Sequence, residues 1–130
     1  MSNATQSGAV IFAKDLQRVA TFYEKLLGLA VAHSESDHIV LASAPVELVI
    51  HAIPKAIADT FTIGVPPERR TEAAIKLYFF VPSIAEARAK AAALGGELNS
   101  PEGEWEARGF RACDGHDPEG NVLQLRETAP

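Results

Sequence analysis

This chain of 130 residues has a single cysteine, no long hydrophobic run and no surplus of basic residues. Each of these features excludes some classes of protein. Cys113, the single cysteine, excludes an intrachain disulfide and a thiolate metal cluster, and it favours a reducing compartment such as the cytoplasm. No apolar stretch reaches the roughly 20 residues that a membrane-spanning helix requires. The 12 basic and 17 acidic residues argue against nucleic acid as a partner. We therefore expect a cytoplasmic protein that binds neither nucleic acid nor membrane.

The N-terminal segment MSNATQSG has neither the basic residues nor the apolar stretch of a signal peptide. We expect residues 1–7 to be a disordered leader. Hydrophobic residues make up 47% of the chain, which is enough to form a core. Residues 8–130 are therefore predicted to form a single domain.

Two segments of the chain follow the same plan. Residues 8–29 contain an apolar run, a helical pattern and a glycine, and residues 76–96 repeat this order 68 positions later. Asp15 and Ser83 occupy corresponding positions and suit helix N-caps, while Gly28 and Gly96 suit helix ends. The repeat predicts a pseudo-symmetric fold, with the ligand site between the two copies.

Each half is predicted to contain one strand, one helix and three further strands, which short loops make mainly antiparallel. The predicted strands of the first half are residues 8–13, 29–33, 38–42 and 46–52. Those of the second half are residues 74–81, 96–98, 109–113 and 121–127. Residues 54–60 are predicted to form a short helix, residues 99–107 a loop that carries Trp105, and residues 68–70 part of a solvated linker.

Two motifs resemble those of the vicinal oxygen chelate superfamily, which includes glyoxalase I, bleomycin-resistance proteins, fosfomycin-resistance enzymes and extradiol dioxygenases. KDLQRVATFYEKLLGL at residues 14–29 is similar to the family's D-L-x-x-x-x-x-F-Y-x-x-x-L-G helix. GHDPEGNVLQLRE at residues 115–127 is similar to its D-P-x-G-N turn into the final strand. With the repeat, the resemblance covers nearly all of residues 8–127.

The resemblance implies an α+β fold of two βαβββ modules, whose strands form a cupped, half-open mixed sheet with the helices on the outside. The modules would span residues 8–53 and 73–127, joined by a linker at residues 54–72. Residues 8–130 would then be a glyoxalase/bleomycin-resistance-like domain. The resemblance also implies a homodimer.

Metal-using members of the superfamily hold a divalent ion with four inward side chains, mostly His and Glu. The resemblance places these positions at Gly8, Glu47, Lys76 and Gln124. Glycine has no side chain to ligate with, an ammonium is only a donor, and one carboxylate does not make a site that needs about three or four protein ligands. We therefore expect no metal and no cofactor. The alternative is one divalent ion in an atypical site that uses Glu47 and His51.

Strand alternation and the family register predict which side chains line the cup. The polar candidates for ligand binding are Glu47, His51, Lys76, Tyr78, Gln124 and Arg126, and the apolar candidates are Val10, Phe12, Val49, Phe80 and Trp105. An unpaired buried ammonium is costly, so a carboxylate or a ligand anion is expected beside Lys76. In the alternative interpretation the polar side chains are merely solvated, or Glu47 and Lys76 pair with each other.

The leading hypothesis is a metal-independent protein that binds a small organic molecule in the cup, in the manner of bleomycin-resistance proteins. Two other classes stay open. One is a lyase, isomerase or dioxygenase that uses an atypical metal site, or His51 and Lys76 as general acid and base. The other is an interaction module whose dimer surface is its function. His33 and His38 are expected to face solvent, and the histidines show no short-range metal-binding spacing.

Overall fold

The structure, a computed structural model, describes residues 7–43 and 46–129. Apart from Ser7, the predicted leader lies outside these residues, as do Ala44 and Pro45. The chain divides into two compact units, the first ending at Thr62 and the second beginning at Ile63. Among the described residues, no helix has both the length and the apolar character needed to cross a membrane.

The first unit is a four-stranded mixed sheet with one long helix. Its elements are β1 (Ser7–Ala13), α1 (Leu16–Leu27), β2 (Ala30–Ser34), β3 (His38–Ser43), β4 (Val46–Ala52) and the short α2 (Lys55–Ala58). The strand order is β1-β4-β3-β2, in which β1 and β4 are parallel and the other pairs are antiparallel.

Local sequence signals fix both ends of α1, as predicted. The Asp15 side chain accepts a hydrogen bond from the backbone N–H of Arg18 at 3.1 Å. Gly28 ends the helix at φ 66°, a left-handed conformation that glycine adopts without a Cβ clash. The buried side of the helix includes Phe22 and Tyr23, and it packs against β3 and β4. One face of the first sheet is thereby covered, which leaves the side chains of the other face for a ligand.

The second unit is a five-stranded mixed sheet, again with one long helix. Its elements are β5 (Leu77–Phe80), α3 (Ile84–Ala93), β6 (Glu97–Leu98), a 3₁₀ turn (Pro101–Gly103), β7 (Trp105–Ala107), β8 (Phe110–His116) and β9 (Val122–Thr128). The strand order is β5-β9-β8-β6, and β7 also pairs with β8. The β5–β9 pair is parallel and the others are antiparallel. The predicted Ser83 cap accepts from Glu86 N–H at 3.1 Å, and α3 contacts β6 and β9.

These elements confirm the α+β class and agree with the βαβββ plan, to which the second half adds the strand β7. Three predictions in the second half were wrong. The strand predicted at 74–81 is only Leu77–Phe80, because its partner β9 begins at Val122 and offers no ladder earlier. The strand predicted at 109–113 continues to His116, where it pairs with β6. Trp105 lies in a strand and not in a loop, because β8 is long enough to pair with β7 as well.

The prediction that residues 68–70 are solvated was wrong for Arg69, whereas Glu68 and Arg70 are exposed. Arg69 is half-buried, and it donates from Nε to Nδ1 of His116 at 2.8 Å and from Nη1 to Oδ1 of Asn99 at 2.7 Å. The N–H of Arg70 donates to the carbonyl of Gly120 at 2.9 Å. This segment is therefore packed against the turn that precedes β9.

Candidate functional site

The second sheet has a covered face and an open face, and strand alternation decides which side chain lies on which. Leu123 and Leu125 of β9 are buried, and α3 packs against this strand. Side chains at the alternate positions point to the other face. There Tyr78 and Phe80 of the edge strand β5 are 54% and 57% exposed, which is a large exposure for two neighbouring aromatic side chains.

A continuous chain of polar contacts crosses this open face. Lys76 Nζ donates to Oδ2 of Asp114 at 3.0 Å, and Gln124 Nε2 donates to Oδ1 of the same carboxylate at 3.0 Å. Arg126 Nε in turn donates to Oε1 of Gln124 at 2.7 Å. A carboxylate was one of the two partners expected beside Lys76, and the structure places that of Asp114 there. The alternative interpretation had paired Lys76 with Glu47.

Two aromatic rings contact the guanidinium of Arg126, the last residue in this series of polar contacts. The guanidinium carbon of Arg126 lies 3.6 Å from the ring centroid of Tyr78 and 4.1 Å from that of Phe110. Phe80 and Trp105 contact Phe110 edge-on, at centroid distances of 6.3 and 5.9 Å. A stacked guanidinium keeps its plane and its donors in a fixed direction. Among the described residues, Arg126 donates its side-chain hydrogen bond from Nε, which leaves its terminal nitrogens for a ligand.

The charge of this open face is positive. Lys76 and Arg126 contribute two cations and Asp114 one carboxylate, while the guanidinium of Arg108 lies 5.1 Å from the Phe110 centroid. Local charge governs ligand choice more directly than the net charge of −5 on the whole chain. The arrangement suits an organic anion with an apolar or aromatic body.

The first sheet also has an open face, opposite the one that α1 covers. The β1–β4 register places Gly8 beside Glu47, Val10 beside Val49 and Phe12 beside His51. Val10 and Phe12 are 54% and 56% exposed, and the rings of Phe12 and His51 lie 5.6 Å apart. Each predicted ligand-binding residue of the first half thus lies on this open face: Phe12, Glu47, Val49 and His51.

The four positions at which related metal-using proteins would carry ligands do not fit a metal here. A Cβ at Gly8 would lie 2.7 Å from the carbonyl oxygen of Glu47, so the backbone leaves no room for a histidine. The ammonium of Lys76 is held by Asp114 and has no lone pair. Both amide atoms of Gln124 are engaged, the nitrogen by Asp114 and the oxygen by Arg126.

At one end of the first sheet, Asp37, His38 and His51 form a cluster in which one donor atom from each lies within 4.8 Å of the others. His38 and His51 are direct partners across the β3–β4 ladder, and their rings are stacked at 5.7 Å with an interplanar angle of 9°. Asp37 Oδ1 lies 2.7 Å from His38 Nδ1, and this hydrogen bond lowers the pKa of the carboxyl below its usual value. The expectation that His38 faces solvent was wrong, because its side chain is half-buried between these partners.

Sequence reasoning missed this cluster and also the site residues Asp114 and Phe110. A signal for the histidine pair was present, since His38 precedes Ala44 by as many positions as His51 follows Pro45. In an antiparallel hairpin such positions face each other. No comparable signal marks Asp114, whose role depends on its pairing with Gln124 across β8 and β9.

The buried titratable groups that lie away from both open faces include His116 and Cys113. His116 is 5% exposed and accepts from Arg69, and its pKa is lowered first by burial and then by that guanidinium. Burial raises the pKa of the Cys113 thiol, which donates to the carbonyl of Asn99 at 3.3 Å. A protonated, buried thiol is a packing group and not a nucleophile.

Comparison with known proteins agrees with this architecture. A family model described as a glyoxalase-like domain matches residues 8–126. This chain belongs to the glyoxalase-like domain family. The resemblance to the vicinal oxygen chelate superfamily is thereby confirmed. No curated protein sequence matches the chain.

Solved structures share the fold of this glyoxalase-like protein at low sequence identity. A glyoxalase/bleomycin resistance protein/dioxygenase family enzyme from Burkholderia phytofirmans PsJN is 18% identical with a TM-score of 0.70, over 96% of this chain and 99% of its own. A genomically encoded fosfomycin resistance protein from Listeria monocytogenes is 17% identical with a TM-score of 0.65, over 99% and 95%. A glyoxalase/bleomycin resistance protein from Albidiferax ferrireducens T118 is 20% identical with a TM-score of 0.64, over 93% and 96%.

Proposed function

We propose that this glyoxalase-like protein binds a small organic anion with an aromatic or apolar body, on the open face of its second sheet and without a metal ion. The observation that carries the proposal is the polar chain from Lys76 to Arg126, bordered by exposed aromatic rings. Ligand sites commonly combine apolar walls with a few polar groups that fix orientation. The function is thus that of a binding protein of the glyoxalase/bleomycin-resistance type.

The polar chain supports tight binding because it is already ordered. Three hydrogen bonds and two ring contacts hold Lys76, Gln124 and Arg126 before any ligand arrives. A ligand that meets ordered side chains loses less free energy to their immobilisation. A charge-assisted hydrogen bond from a guanidinium to an anion is worth about 1.5–3 kcal/mol.

The metal-independent part of the proposal rests on the four family positions. Gly8, Lys76 and Gln124 cannot ligate a metal in this arrangement, which leaves Glu47 as the one carboxylate of the set. Phe12, Glu47, Val49 and His51 lie on the open face of the first sheet, and the proposed site does not depend on them. Binding of the organic ligand should therefore be insensitive to chelators.

Phenylacetate and phenylacetamide make a matched pair of probes for this proposal, since they share a ring and differ in charge. Trp105 is the only tryptophan and lies 5.9 Å from Phe110, so its fluorescence reports on the open face. In buffer containing EDTA, phenylacetate is expected to change the Trp105 emission saturably, with at least about tenfold higher affinity than phenylacetamide. Equal affinity for the two probes, or binding that requires an added metal ion, would overturn the proposal.

Two arginine variants separate the site from general electrostatics. Arg126→Gln removes the guanidinium of the open face and should weaken phenylacetate binding roughly tenfold or more. Arg111→Gln removes the same charge from the same sheet, where Arg111 pairs with Glu104 and Glu106 and alternates with the open-face position Ala112. Its affinity should be unchanged, and an equal loss in both variants would contradict the assignment.

A lyase, isomerase or dioxygenase with an atypical divalent-metal site is the second candidate function. It is favoured by the position of His51, which lies on the open face of the first sheet and also in the histidine cluster. Glu47 is four residues away on the same strand, about 13 Å by strand geometry, so it cannot share a metal with His51 in this arrangement. His51 and Lys76 stay the candidates for general acid and base, and His51→Ala should abolish any such activity without loss of folding.

A further inference from the structure

The cluster of Asp37, His38 and His51 contains none of the four family metal positions. Cross-strand pairing of β3 with β4 brings the two imidazoles together, and the tight hairpin before β3 places Asp37 beside them. All three side chains belong to the first unit and are reachable from solvent.

Hydrogen bonding prepares two of these side chains to ligate. His51 Nδ1 lies 2.8 Å from the carbonyl oxygen of Ala52, an acceptor that requires the proton on Nδ1. Nε2 of the neutral ring then carries a lone pair, and it lies 3.8 Å from Asp37 Oδ2. Metal-ligating histidines typically donate their other ring N–H in this way. His38 Nδ1, 2.7 Å from Asp37 Oδ1, can exchange its shared proton for a metal ion.

The donor spacing is close to that of a zinc site. Zinc–nitrogen and zinc–oxygen bonds of about 2.0–2.2 Å in a tetrahedron separate neighbouring donors by about 3.3 Å. The separations from Asp37 to the two histidines are 2.7 and 3.8 Å, and all three donor atoms lie within 4.8 Å of one another. Side-chain rotation would have to bring the more distant donors closer to the metal.

We infer that Asp37, His38 and His51 bind a divalent transition-metal ion of the zinc type, with two imidazole ligands and one carboxylate. Two nitrogen donors favour zinc, cobalt, nickel or copper over magnesium and calcium, which prefer oxygen. Three protein ligands leave a fourth coordination position open, as in sites where a metal holds water or an exogenous oxygen ligand.

The open position would face a pocket. Asp37 and His51 line an open pocket of ≈ 1100 Å³ in the first unit, together with the start of α1 and the segment around α2. Lys14 and Lys55 also line it, and they pair with the carbonyl of Ala58 and the carboxylate of Asp59 respectively. The ligand class that fits is a small oxygen donor, such as water or a carboxylate, held on the metal at the mouth of this pocket.

Zinc titration of tag-free protein by calorimetry, with Co²⁺ absorbance as a second measurement, tests the site. The wild type is expected to bind one zinc ion and to give visible Co²⁺ bands of a low-coordinate nitrogen–oxygen site. Asp37→Asn, His38→Gln and His51→Gln should each weaken zinc binding roughly tenfold or more. Glu35→Gln removes a neighbouring carboxylate of the same hairpin that pairs with His33, and it should leave zinc affinity unchanged.

The inference is overturned if the wild type binds no zinc at millimolar concentration, or if His38→Gln and His51→Gln bind it like the wild type. It is also overturned if Glu35→Gln lowers affinity as much as Asp37→Asn, since the effect would then be general charge. All these side chains are at least partly exposed, so the variants should keep the melting temperature of the wild type. Arg126→Gln should bind zinc normally, which keeps this test independent of the organic-anion site.

Discussion

The buried imidazole of His116 should make the free energy of unfolding depend on pH. Burial first and Arg69 second lower its pKa in the folded state, whereas in the unfolded chain it is near 6.5. The neutral ring therefore contributes stability that is present above about pH 6.5 and is lost as pH falls below that value. Urea unfolding at about pH 7.5 and about pH 5.5 should show a lower free energy of unfolding at the acidic pH.

His116→Asn provides the control for this prediction. The asparagine oxygen can replace Nδ1 of His116 as the acceptor for Arg69, but the asparagine side chain does not titrate. The variant should lose part of the difference in unfolding free energy between the two pH values. An unchanged difference would show that the acid sensitivity arises elsewhere.

At the same scale, sequence reasoning identified residues better than it identified their partners. Alternation along a strand is local, so it placed Tyr78, Gln124 and Arg126 on one face without a structure. The contacts of Asp114 and Phe110 depend on which residues of β8 lie opposite β9, and that register is set by the hydrogen-bonded ladder. The sequence therefore predicted which polar and aromatic side chains share this face, but it did not predict the carboxylate of Asp114.

At the scale of elements, two glycines with positive φ distinguish conformational strain from steric exclusion. Gly28 ends α1 at φ 66° with no atom within 4 Å of a Cβ built there, whereas a Cβ at Gly120, at φ 83°, would lie 2.1 Å from the carbonyl oxygen of Glu68. Gly28→Ala should cost about 1 kcal/mol of unfolding free energy from the left-handed conformation alone. Gly120→Ala should cost clearly more, because the turn and the backbone of residues 68–69 must also move apart.

Chemical denaturation of the two alanine variants measures both costs on one scale. Equal losses of unfolding free energy would contradict the close approach of Gly120 to Glu68. A loss at Gly28 well above that at Gly120 would contradict it more strongly.

The elements that the sequence predicted well are those with signals at both ends. Asp15 and Gly28 bound α1 by their own chemistry, so the predicted cap and end were confirmed. The limits of β5 and β7 were wrong because strand pairing decides them. β5 begins only where β9 runs beside it, and Trp105 belongs to a strand because it pairs with β8.

At the scale of the whole molecule, we predict a homodimer, as the superfamily resemblance implies. Large apolar side chains such as Ile57 and Ile75 are 56% and 76% exposed in the single chain, and association would cover such surface. Light scattering after size exclusion should give twice the 13.9 kDa mass of the chain. A monomer mass across the micromolar range would contradict the prediction.

The repeat predicted the βαβββ order of both halves, but the chemistry of the halves has diverged. Corresponding positions carry Gly8 and Lys76, and the open faces carry a histidine cluster in one unit and a stacked arginine in the other. These differences arise from single side chains on a shared backbone plan. The sequence predicts such a difference only where the spacing along one strand or one hairpin shows which side chains lie together. The predicted cytoplasmic location rests on composition alone.

Chemical-shift mapping of ¹⁵N-labelled, EDTA-treated protein titrated with phenylacetate tests the central proposal most directly. The account predicts saturable shifts centred on β5 and β9, at Tyr78, Phe80, Gln124 and Arg126, with the Arg126 side chain among the largest. These phenylacetate-induced shifts should be the same when zinc is added. Shifts confined to other elements, or shifts that appear only after a metal ion is supplied, would contradict it.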